Sequence, residues 1–367
     1  MRSLRTAMVL ATVVATVSLA ACSSGGDTPS GDSTSSGSGT VAAKSTDASF
    51  VVDGTTTYGT LEIPAHRSGQ RLAAALLIPG SGPTDRNGNQ VSSGTTPDTL
   101  GLIATILARQ GIMTYRFDKY FTGQTGGGKF AGDPAALTVG DYLSQADAAY
   151  KFLASQPQVN PAKMLIVGHS EGGMFALSVA DSASDKPAGL ALLEPQDLRI
   201  LTLFEVQADE TINALAAQGT LTDPQARANG RLVQQAISQF RAGQPVSTKG
   251  MAPAIVQFVT PEILTPSVTR FVHGNDLISP AALAAKVKSG TQVLVTDGTK
   301  DTKVPPGTIG PLVQALKGAG ITGPGLTMLQ GTDHDMHLLS QPDTSPVLAP
   351  AAISAIQHWA QPFAAGS

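Results

Sequence analysis

The stretch that decides the fold covers residues 164–180 and reads MLIVGHSEGGMFALSVA. It contains a short apolar run, then a glycine-rich turn, then a helical apolar pattern. This order predicts a buried strand, a sharp turn and a helix, with Ser170 at the turn. Glycines on both sides permit the backbone to turn sharply enough to lift the serine hydroxyl above the end of a sheet. Ser170 is therefore a candidate nucleophile.

The same pattern also has a simpler interpretation. G-x-S-x-G alone is weak evidence in a chain with 39 glycines, and a strand-to-helix turn can hold an idle serine. The choice depends on whether the rest of the chain supplies the partners that a nucleophilic serine needs.

Outward from this stretch, apolar strand-like runs alternate with helical ones, which is typical of a parallel sheet with helices on its faces. Strands are predicted at 50–52, 57–63, 72–78, 112–117, 164–167, 189–193, 292–296 and 326–329. Helices are predicted at 98–109, 139–154, 171–180, 307–317 and 351–360. The expected fold class is α/β, with a mostly parallel eight-stranded sheet that begins with an antiparallel hairpin.

The alternation is interrupted between residues 193 and 292, an interval far longer than one crossover needs. Its helical patterns at 203–218, 223–242 and 280–288 predict a cap inserted after the sixth strand. Ligands of open α/β sheets bind at the carboxyl ends of the strands, so this cap would cover the site. The expected domains are an α/β core at 48–197 and 289–367 and a helical cap at 198–288.

A nucleophilic serine needs a histidine to take its proton and an acid to orient that histidine. Two loops that follow late strands hold such residues: DGTKDTKVP at 297–305 and GTDHDMH at 331–337. They resemble the G-x-x-D-x-x-V-P and G-x-x-H loops of the α/β-hydrolase superfamily. The similarity covers about residues 51–360 in architecture, and within the superfamily the chain most resembles a secreted, carboxylesterase-like bacterial lipoprotein. The resemblance implies a triad of Ser170, Asp301 as the acid and His334 as the base.

Two other acids compete with Asp301. Glu194 follows the strand at 189–193, where some members of the superfamily carry the acid. Asp297 ends its strand early and is interpreted as a turn residue or a cap on the turn at Gly298. Glu194 stays open as an alternative.

The histidines also have competing interpretations. His337 is three residues after His334, although the spacing from Gly331 favours His334. The ring of His169 is expected to point away from the serine hydroxyl and to pack or form a hydrogen bond. The acidic and histidine residues of 333–337 could instead bind a metal ion, but no second histidine stands at helical spacing. No metal is expected.

The tetrahedral intermediate of acyl transfer needs two backbone N–H donors aimed at its oxyanion. One is expected from Glu171, directly after the nucleophile at a helix N-terminus. The other is expected from the loop PGSGPTDRNGN at 79–89, which resembles that of a subset of bacterial carboxylesterases. Ser81 is the first choice for this donor, and Gly82 is the second.

Two further polar features are given structural roles. Asp85 and Arg86 are expected to pair with each other. The glycine-rich stretch at 123–129 lacks the spacing of a phosphate-binding P-loop and does not directly join a strand to a helix, so it is expected to be a surface loop.

The N-terminus has the pattern of a secretory signal: two arginines, an apolar run too short to span a membrane, and small residues before the single cysteine, Cys22. The tetrapeptide LAAC at 19–22 resembles the bacterial lipobox, which implies removal of residues 1–21 and a diacylglycerol on Cys22. An ordinary signal peptide with an incidental cysteine is the alternative. Residues 22–47 would then be a flexible tether. We expect a lipid-anchored protein on the extracytoplasmic face of a bacterial cell membrane.

Composition excludes other classes. The formal net charge of −3, without a block of basic residues, argues against a nucleic-acid binder. A hydrophobic content of 41% is enough for a core. No cofactor is expected.

These features lead to one functional hypothesis with alternatives. The expected protein is a serine hydrolase, most simply a carboxylesterase on short to medium acyl esters, with a small-molecule ester as substrate. The same triad would also serve a peptidase or thioesterase. A lipid-anchored solute-binding protein, with two similar α/β lobes, or a degenerate hydrolase kept for binding would not need the serine.

Overall fold

The computed structural model describes residues 39–321, 325–340 and 347–364. The described strands are β1 (Thr40–Val41), β2 (Lys44–Val52), β3 (Thr55–Ile63), β4 (His66–Arg67), β5 (Leu72–Ile78), β6 (Met113–Phe117), β7 (Val159–His169), β8 (Gly189–Leu193), β9 (Gln292–Gly298) and β10 (Leu326–Leu329). The described α-helices are α1 (Thr99–Arg109), α2 (Val139–Ala154), α3 (Glu171–Ser182), α4 (Ile200–Ala217), α5 (Asp223–Arg241), α6 (Pro253–Val259), α7 (Pro266–Asp276), α8 (Pro280–Ala284), α9 (Gly310–Gly318) and α10 (Pro350–Ala360).

Eight of these strands form the central sheet, in the order β10-β9-β8-β7-β5-β6-β3-β2. Every neighbouring pair from β10 to β6 is parallel, whereas β6–β3 and β3–β2 are antiparallel. The predicted mostly parallel eight-stranded sheet and its first hairpin are therefore confirmed. The short strands β1 and β4 form a separate antiparallel pair that the sequence pattern did not predict.

The sheet has an apolar core on each face because its parallel strands carry apolar side chains on both faces. In β5, which is buried along its whole length, Leu76 and Ile78 pack on one face and Ala75 and Leu77 on the other. The first face is covered by α2, α3 and α9, and the second by α1 and α10. This alternation is the strand period of two applied to a sheet that is buried on both sides.

The cap follows β8, the sixth strand of the central sheet, as predicted, and consists of α4 to α8. It has an apolar cluster of its own, which includes Leu201, Phe204, Val233, Phe240 and Ile255. The sequence pattern did not predict α6, α7 or the π-helical turn at Thr260–Leu264, and α8 ends at Ala284 rather than at 288. Several prolines and short polar runs divide this region, and they hide the helical period.

The N-terminal boundary of the fold differs from the prediction. The expected tether at 22–47 and core start at 48 are wrong at their junction, because β1 and the first residues of β2 lie within 40–47. Five of the eight residues at 40–47 are Thr, Ser, Lys or Asp, yet Lys44 to Val52 pairs in register with β3 along its full length. A half-exposed edge strand needs few apolar residues, so its composition resembles a linker.

Residues 1–21 and Cys22 lie outside the described residues. Among the helices of residues 39–321, 325–340 and 347–364, none combines the length and the apolar character needed to cross a bilayer.

Candidate active site

Ser170 occupies a strained turn between β7 and α3. Its backbone has φ 57° and ψ −126°, a region that L-residues with a Cβ rarely adopt. The turn is compact because glycines surround it. A Cβ on Gly168 would lie 2.1 Å from the carbonyl oxygen of Gly172, and one on Gly172 would lie 2.2 Å from the carbonyl oxygen of Ile78. The glycines are therefore required by close backbone contacts.

Asp301 and His334 form a hydrogen-bonded pair beside this turn. Asp301 Oδ2 lies 2.7 Å from His334 Nδ1, while Asp301 Oδ1 accepts from the backbone N–H groups of Lys303 and Val304 at 2.7 and 2.9 Å. These residues follow β9 and β10, which are parallel neighbours, so their carboxyl ends meet at one edge of the sheet. Both oxygens of the Asp301 carboxylate therefore have hydrogen-bond partners, and the carboxylate orients the His334 ring.

Ser170 and His334 line the same cavity of about 680 Å³, which lies between the sheet edge and the cap. Among the described residues, the His334 ring forms a hydrogen bond with Asp301 and none with the Ser170 hydroxyl. Such catalytic hydrogen bonds commonly tighten only in the substrate complex. The structure thus brings together the three residues that the resemblance selected.

His169 has a different role from His334, as the sequence suggested. Its Nε2 lies 2.8 Å from the backbone carbonyl oxygen of His334, and the two ring centres are 4.9 Å apart. Burial lowers the pKa of His169, and the neighbouring His334 lowers it further. A neutral His169 therefore supports the backbone of the loop that carries His334.

The competing acids are buried but do not reach the histidine. Glu194 Oε2 accepts from the backbone N–H of Gly298 at 2.5 Å. Burial raises the pKa of Glu194 to about 8, and the nearby Asp301 adds to this rise. Burial likewise raises the pKa of Asp297 to about 6. Asp297 lies inside β9 rather than in a turn. Glu194 is largely neutral at pH 7 and is thus poorly suited to hold a cationic histidine.

The two residues predicted to supply the oxyanion donors lie near Ser170. Ser81 and Glu171 both line the cavity that contains Ser170. The carbonyl oxygen of Ser81 accepts from Thr84 Oγ1 at 2.6 Å and from Gln90 Nε2 at 3.0 Å, which fixes the loop after β5. Glu171 is the first residue of α3, so its backbone N–H lies at the positive end of that helix.

The expected pairing of Asp85 with Arg86 is wrong. Arg86 forms ion pairs with Asp118 at 2.7 Å and with Asp47 at 3.0 Å. Asp85 Oδ1 instead accepts from the backbone N–H groups of Asn87 and Asn89. A short aspartate side chain at the start of a turn satisfies local N–H groups readily, while the long arginine reaches the loop after β6.

Sequence reasoning also missed Lys119, a buried cation at the site. Its ammonium group donates to the carbonyl oxygen of Gly80 and lies 3.8 Å from a carboxylate oxygen of Glu171. A signal was present, because Lys119 follows an apolar strand at the edge of the sheet where ligands bind.

The residues of the possible metal cluster have other partners. Asp333 Oδ1 accepts from the backbone N–H groups of Asp335 and His337 at 3.0 and 2.8 Å. In the part of the chain that the structure describes, no group of three or more His, Cys, Asp or Glu side chains is arranged to hold a metal ion. The expectation that the protein uses no metal stays a prediction.

A serine on a strained strand-to-helix turn, at the carboxyl edge of a capped and mostly parallel sheet, is typical of hydrolases of the α/β class. The family described as "Alpha/beta hydrolase family" matches residues 75–344, well over half of the 367 residues. The chain therefore belongs to the alpha/beta hydrolase family, and it is a hydrolase. No curated protein matches it.

Solved structures share the fold. The esterase Est1E from Butyrivibrio proteoclasticus, in a structure with ferulic acid bound, is 16% identical with a TM-score of 0.53, over 86% of this chain and 98% of that chain. An esterase from Pyrococcus furiosus is 12% identical with a TM-score of 0.53, over 88% and 92%. Carboxyl esterase 2 from Tuber melanosporum is 16% identical with a TM-score of 0.50, over 88% and 87%. At these identities the likeness establishes the fold alone.

Proposed function

We propose that this hydrolase cleaves carboxylic esters through an acyl-enzyme, with Ser170 as nucleophile, His334 as general base and acid, and Asp301 as the residue that orients His334. The observation that carries the proposal is the 2.7 Å bond between Asp301 and His334 at a cavity that also contains the strained Ser170. A buried carboxylate that orients a histidine beside a serine on a strained strand-to-helix turn is the arrangement that activates a hydroxyl for acyl transfer.

The reaction would proceed in two halves. In the first, Ser170 Oγ attacks the ester carbonyl carbon while its proton moves to His334, and the resulting oxyanion accepts hydrogen bonds from the backbone N–H groups of Ser81 and Glu171. Collapse of this intermediate breaks the C–O bond, and His334 returns the proton to the leaving alcohol. In the second half, water attacks the acyl-enzyme with the same proton transfers and releases the carboxylic acid.

The cavity supports an ester with an apolar acyl group of short to medium length. Its cap side carries apolar residues, including Leu203, Phe204, Phe258 and Val272. The Phe204 and Phe258 rings are stacked, with centres 5.0 Å apart. Ferulic acid is named in the Est1E structure, so an aromatic acyl ester belongs in the substrate panel beside the aliphatic ones.

The first test is covalent labelling of the serine. A fluorophosphonate should add to Ser170, and peptide mapping should find one adduct. Ser170→Ala should lose the adduct and lower kcat for p-nitrophenyl esters by about 10⁵- to 10⁶-fold. Ser178→Ala is the matched control, because Ser178 lies on the same helix but outside the set of residues that line the cavity.

Three outcomes of that test have different meanings. Labelling of Ser170 with turnover of esters, but not of matched amides or thioesters, supports the proposal. Faster turnover of an amide or thioester would replace the ester assignment with a peptidase or thioesterase. Comparable hydrolysis by Ser170→Ala, or a folded protein that takes no label, would refute the mechanism and favour a binding protein.

We also propose that the protein is anchored by a lipid on Cys22 at the extracytoplasmic face of a bacterial membrane. This proposal rests on the LAAC sequence at 19–22 and on the apolar run before it. Two or more acyl chains suffice for stable attachment. Metabolic labelling with a fatty acid should mark the protein and should fail for Cys22→Ser. Labelling that persists in Cys22→Ser would contradict the anchor.

A further inference from the structure

Lys119 is a buried cation that the proposed mechanism does not use. Its side chain is only 1% exposed, and its ammonium group lies 4.8 Å from the centre of the Tyr142 ring. Burial of an ammonium group is unfavourable unless other groups compensate for the lost hydration. Its other partners in the described residues are the carbonyl oxygen of Gly80 and the carboxylate of Glu171.

The carbonyl of Gly80 belongs to the same peptide unit as the N–H of Ser81, the first proposed oxyanion donor. In a trans peptide, the C=O and N–H bonds point in opposite directions. A cation that holds the Gly80 carbonyl on the buried side therefore turns the Ser81 N–H to the other side. Ser170 lies close to this peptide, because a Cβ on Gly80 would be 3.1 Å from the Ser170 Cβ.

The ammonium group also reaches the residue that carries the second proposed donor. One carboxylate oxygen of Glu171 lies 3.8 Å from Lys119 Nζ, and the other accepts from Asn275 Nδ2 at 2.8 Å. Gln196 Nε2 in turn donates to Asn275 Oδ1 at 3.0 Å. Lys119 thus contacts one peptide of the oxyanion hole directly and the side chain of the other donor residue.

We propose that Lys119 is a positioning residue that orients the Gly80–Ser81 peptide and strengthens its N–H as a donor to the oxyanion. This inference rests on the proposed function. A cation on the carbonyl oxygen withdraws electrons from the amide, and hydrogen bonds in such a chain reinforce one another. Negative charge develops on the substrate oxygen only during acyl transfer, so Lys119 should favour the transition state over the bound substrate.

The charge state of Lys119 agrees with this role. Burial lowers the pKa of Lys119 to about 8, and the Glu171 carboxylate limits the decrease. The ammonium form therefore prevails at neutral pH. A purely structural role for the ion pair would also explain the burial, but it would not make Lys119 selective for the transition state.

The experiment compares two variants of the full chain. Lys119→Met alone would leave the buried Glu171 carboxylate without its cation. The double variant Lys119→Met/Glu171→Gln is therefore compared with the single variant Glu171→Gln, which serves as the reference. Relative to that reference, the double variant should lower kcat about 10²-fold, the loss expected for an impaired oxyanion donor. Affinity for a boronic acid, which forms a tetrahedral adduct with the serine, should fall in parallel. Affinity for an ether analogue of the ester should stay nearly constant.

Circular dichroism and thermal unfolding establish that each variant is folded. If the double variant does not fold, the affinities for the boronic acid and for the ether analogue are measured with Lys119→Gln, which removes the charge. Binding of the boronic acid should then weaken about tenfold more than binding of the ether analogue. An unchanged kcat, or equal losses for both inhibitors, would overturn the inference. Hydrolysis that survives Ser170→Ala would instead overturn the proposed function, whatever the Lys119 variants do.

Discussion

The carboxyl edge of the sheet and the cap face the same cavity, but different interactions fix them. At the sheet edge, the Asp301 carboxylate accepts two backbone N–H groups and binds His334. In the cap, helices pack around an apolar cluster. One buried carboxylate, Asp276, joins them by ion pairs at 2.9 Å to Arg199 and to Arg241.

This difference predicts what each region controls. At the sheet edge, the side chains of Asp301 and His334 are held by hydrogen bonds whose geometry leaves little room for adjustment. The cap is held by apolar packing, which tolerates changes of shape better than a hydrogen-bonded network does. We therefore expect substitutions at the sheet edge to change the rate of the chemical step, and substitutions in the cap to change stability and substrate range.

After Ser170→Ala, the largest effect is expected for Asp301→Asn. The amide keeps the size of the carboxylate but cannot hold His334 in the tautomer that accepts the serine proton. We expect kcat to fall about 10⁴-fold, as for the loss of the acid in other serine triads. Steady-state kinetics with a short p-nitrophenyl ester measures this loss, and thermal unfolding checks that the variant is folded.

Glu194→Gln is the control for that variant. Because burial raises the pKa of Glu194 to about 8, the side chain is mostly neutral at pH 7 and an amide replaces it with little change. Gln can still accept from the backbone N–H of Gly298. Turnover should stay close to that of the unchanged protein. A greater loss of kcat in Glu194→Gln than in Asp301→Asn would show that the acid has been misassigned.

Much of the sheet edge could be predicted because each element carries its own signal. The strands β5, β8 and β10 were predicted to the residue, since their apolar runs end at glycine, proline or polar residues. The sharp turn at Ser170 was predictable from the glycines on both sides of it. The position of Asp301 relative to His334 came from the resemblance, and the catalytic roles of both stay predictions.

The features that could not be predicted from the sequence depend on contacts between distant parts of the chain. The partner of Arg86 is Asp118, 32 positions away, and nothing near Arg86 in sequence indicates it. Lys119 meets Gly80 only because β5 and β6 are parallel neighbours. The start of β2 was missed since its stability comes from pairing with β3 rather than from its own composition.

A smaller effect is expected for Asp276→Asn in the cap. Burial raises the pKa of Asp276, but hydrogen bonds from Arg241 and Leu201 outweigh this and leave the pKa below its usual value. The variant should lower the free energy of unfolding by about 1–3 kcal/mol at pH 7. The arginine side chains are 44% and 35% exposed, so water screens part of the attraction.

The pH dependence distinguishes the charge from the packing of Asp276. A carboxyl group whose pKa is depressed by folding stabilises the protein above its unfolded pKa of about 3.9. That stabilisation is lost as the pH falls through the lower folded value. The difference between the two proteins in urea unfolding should thus be largest near neutral pH and should shrink in acid. A difference that is constant with pH would assign the loss to packing instead.

The smallest expected effect is on substrate range, and Phe258→Ala tests it. Phe258 lines the cap side of the cavity and stacks on Phe204. Its removal takes apolar contact from a longer acyl chain but not from acetate, so kcat/KM for a hexanoate ester should fall about tenfold while that for acetate changes little. Val256→Ala is the control, because Val256 is half-buried on the same helix and does not line the cavity. Equal losses for both esters would mean that the cap acts on the chemical step as the sheet edge does.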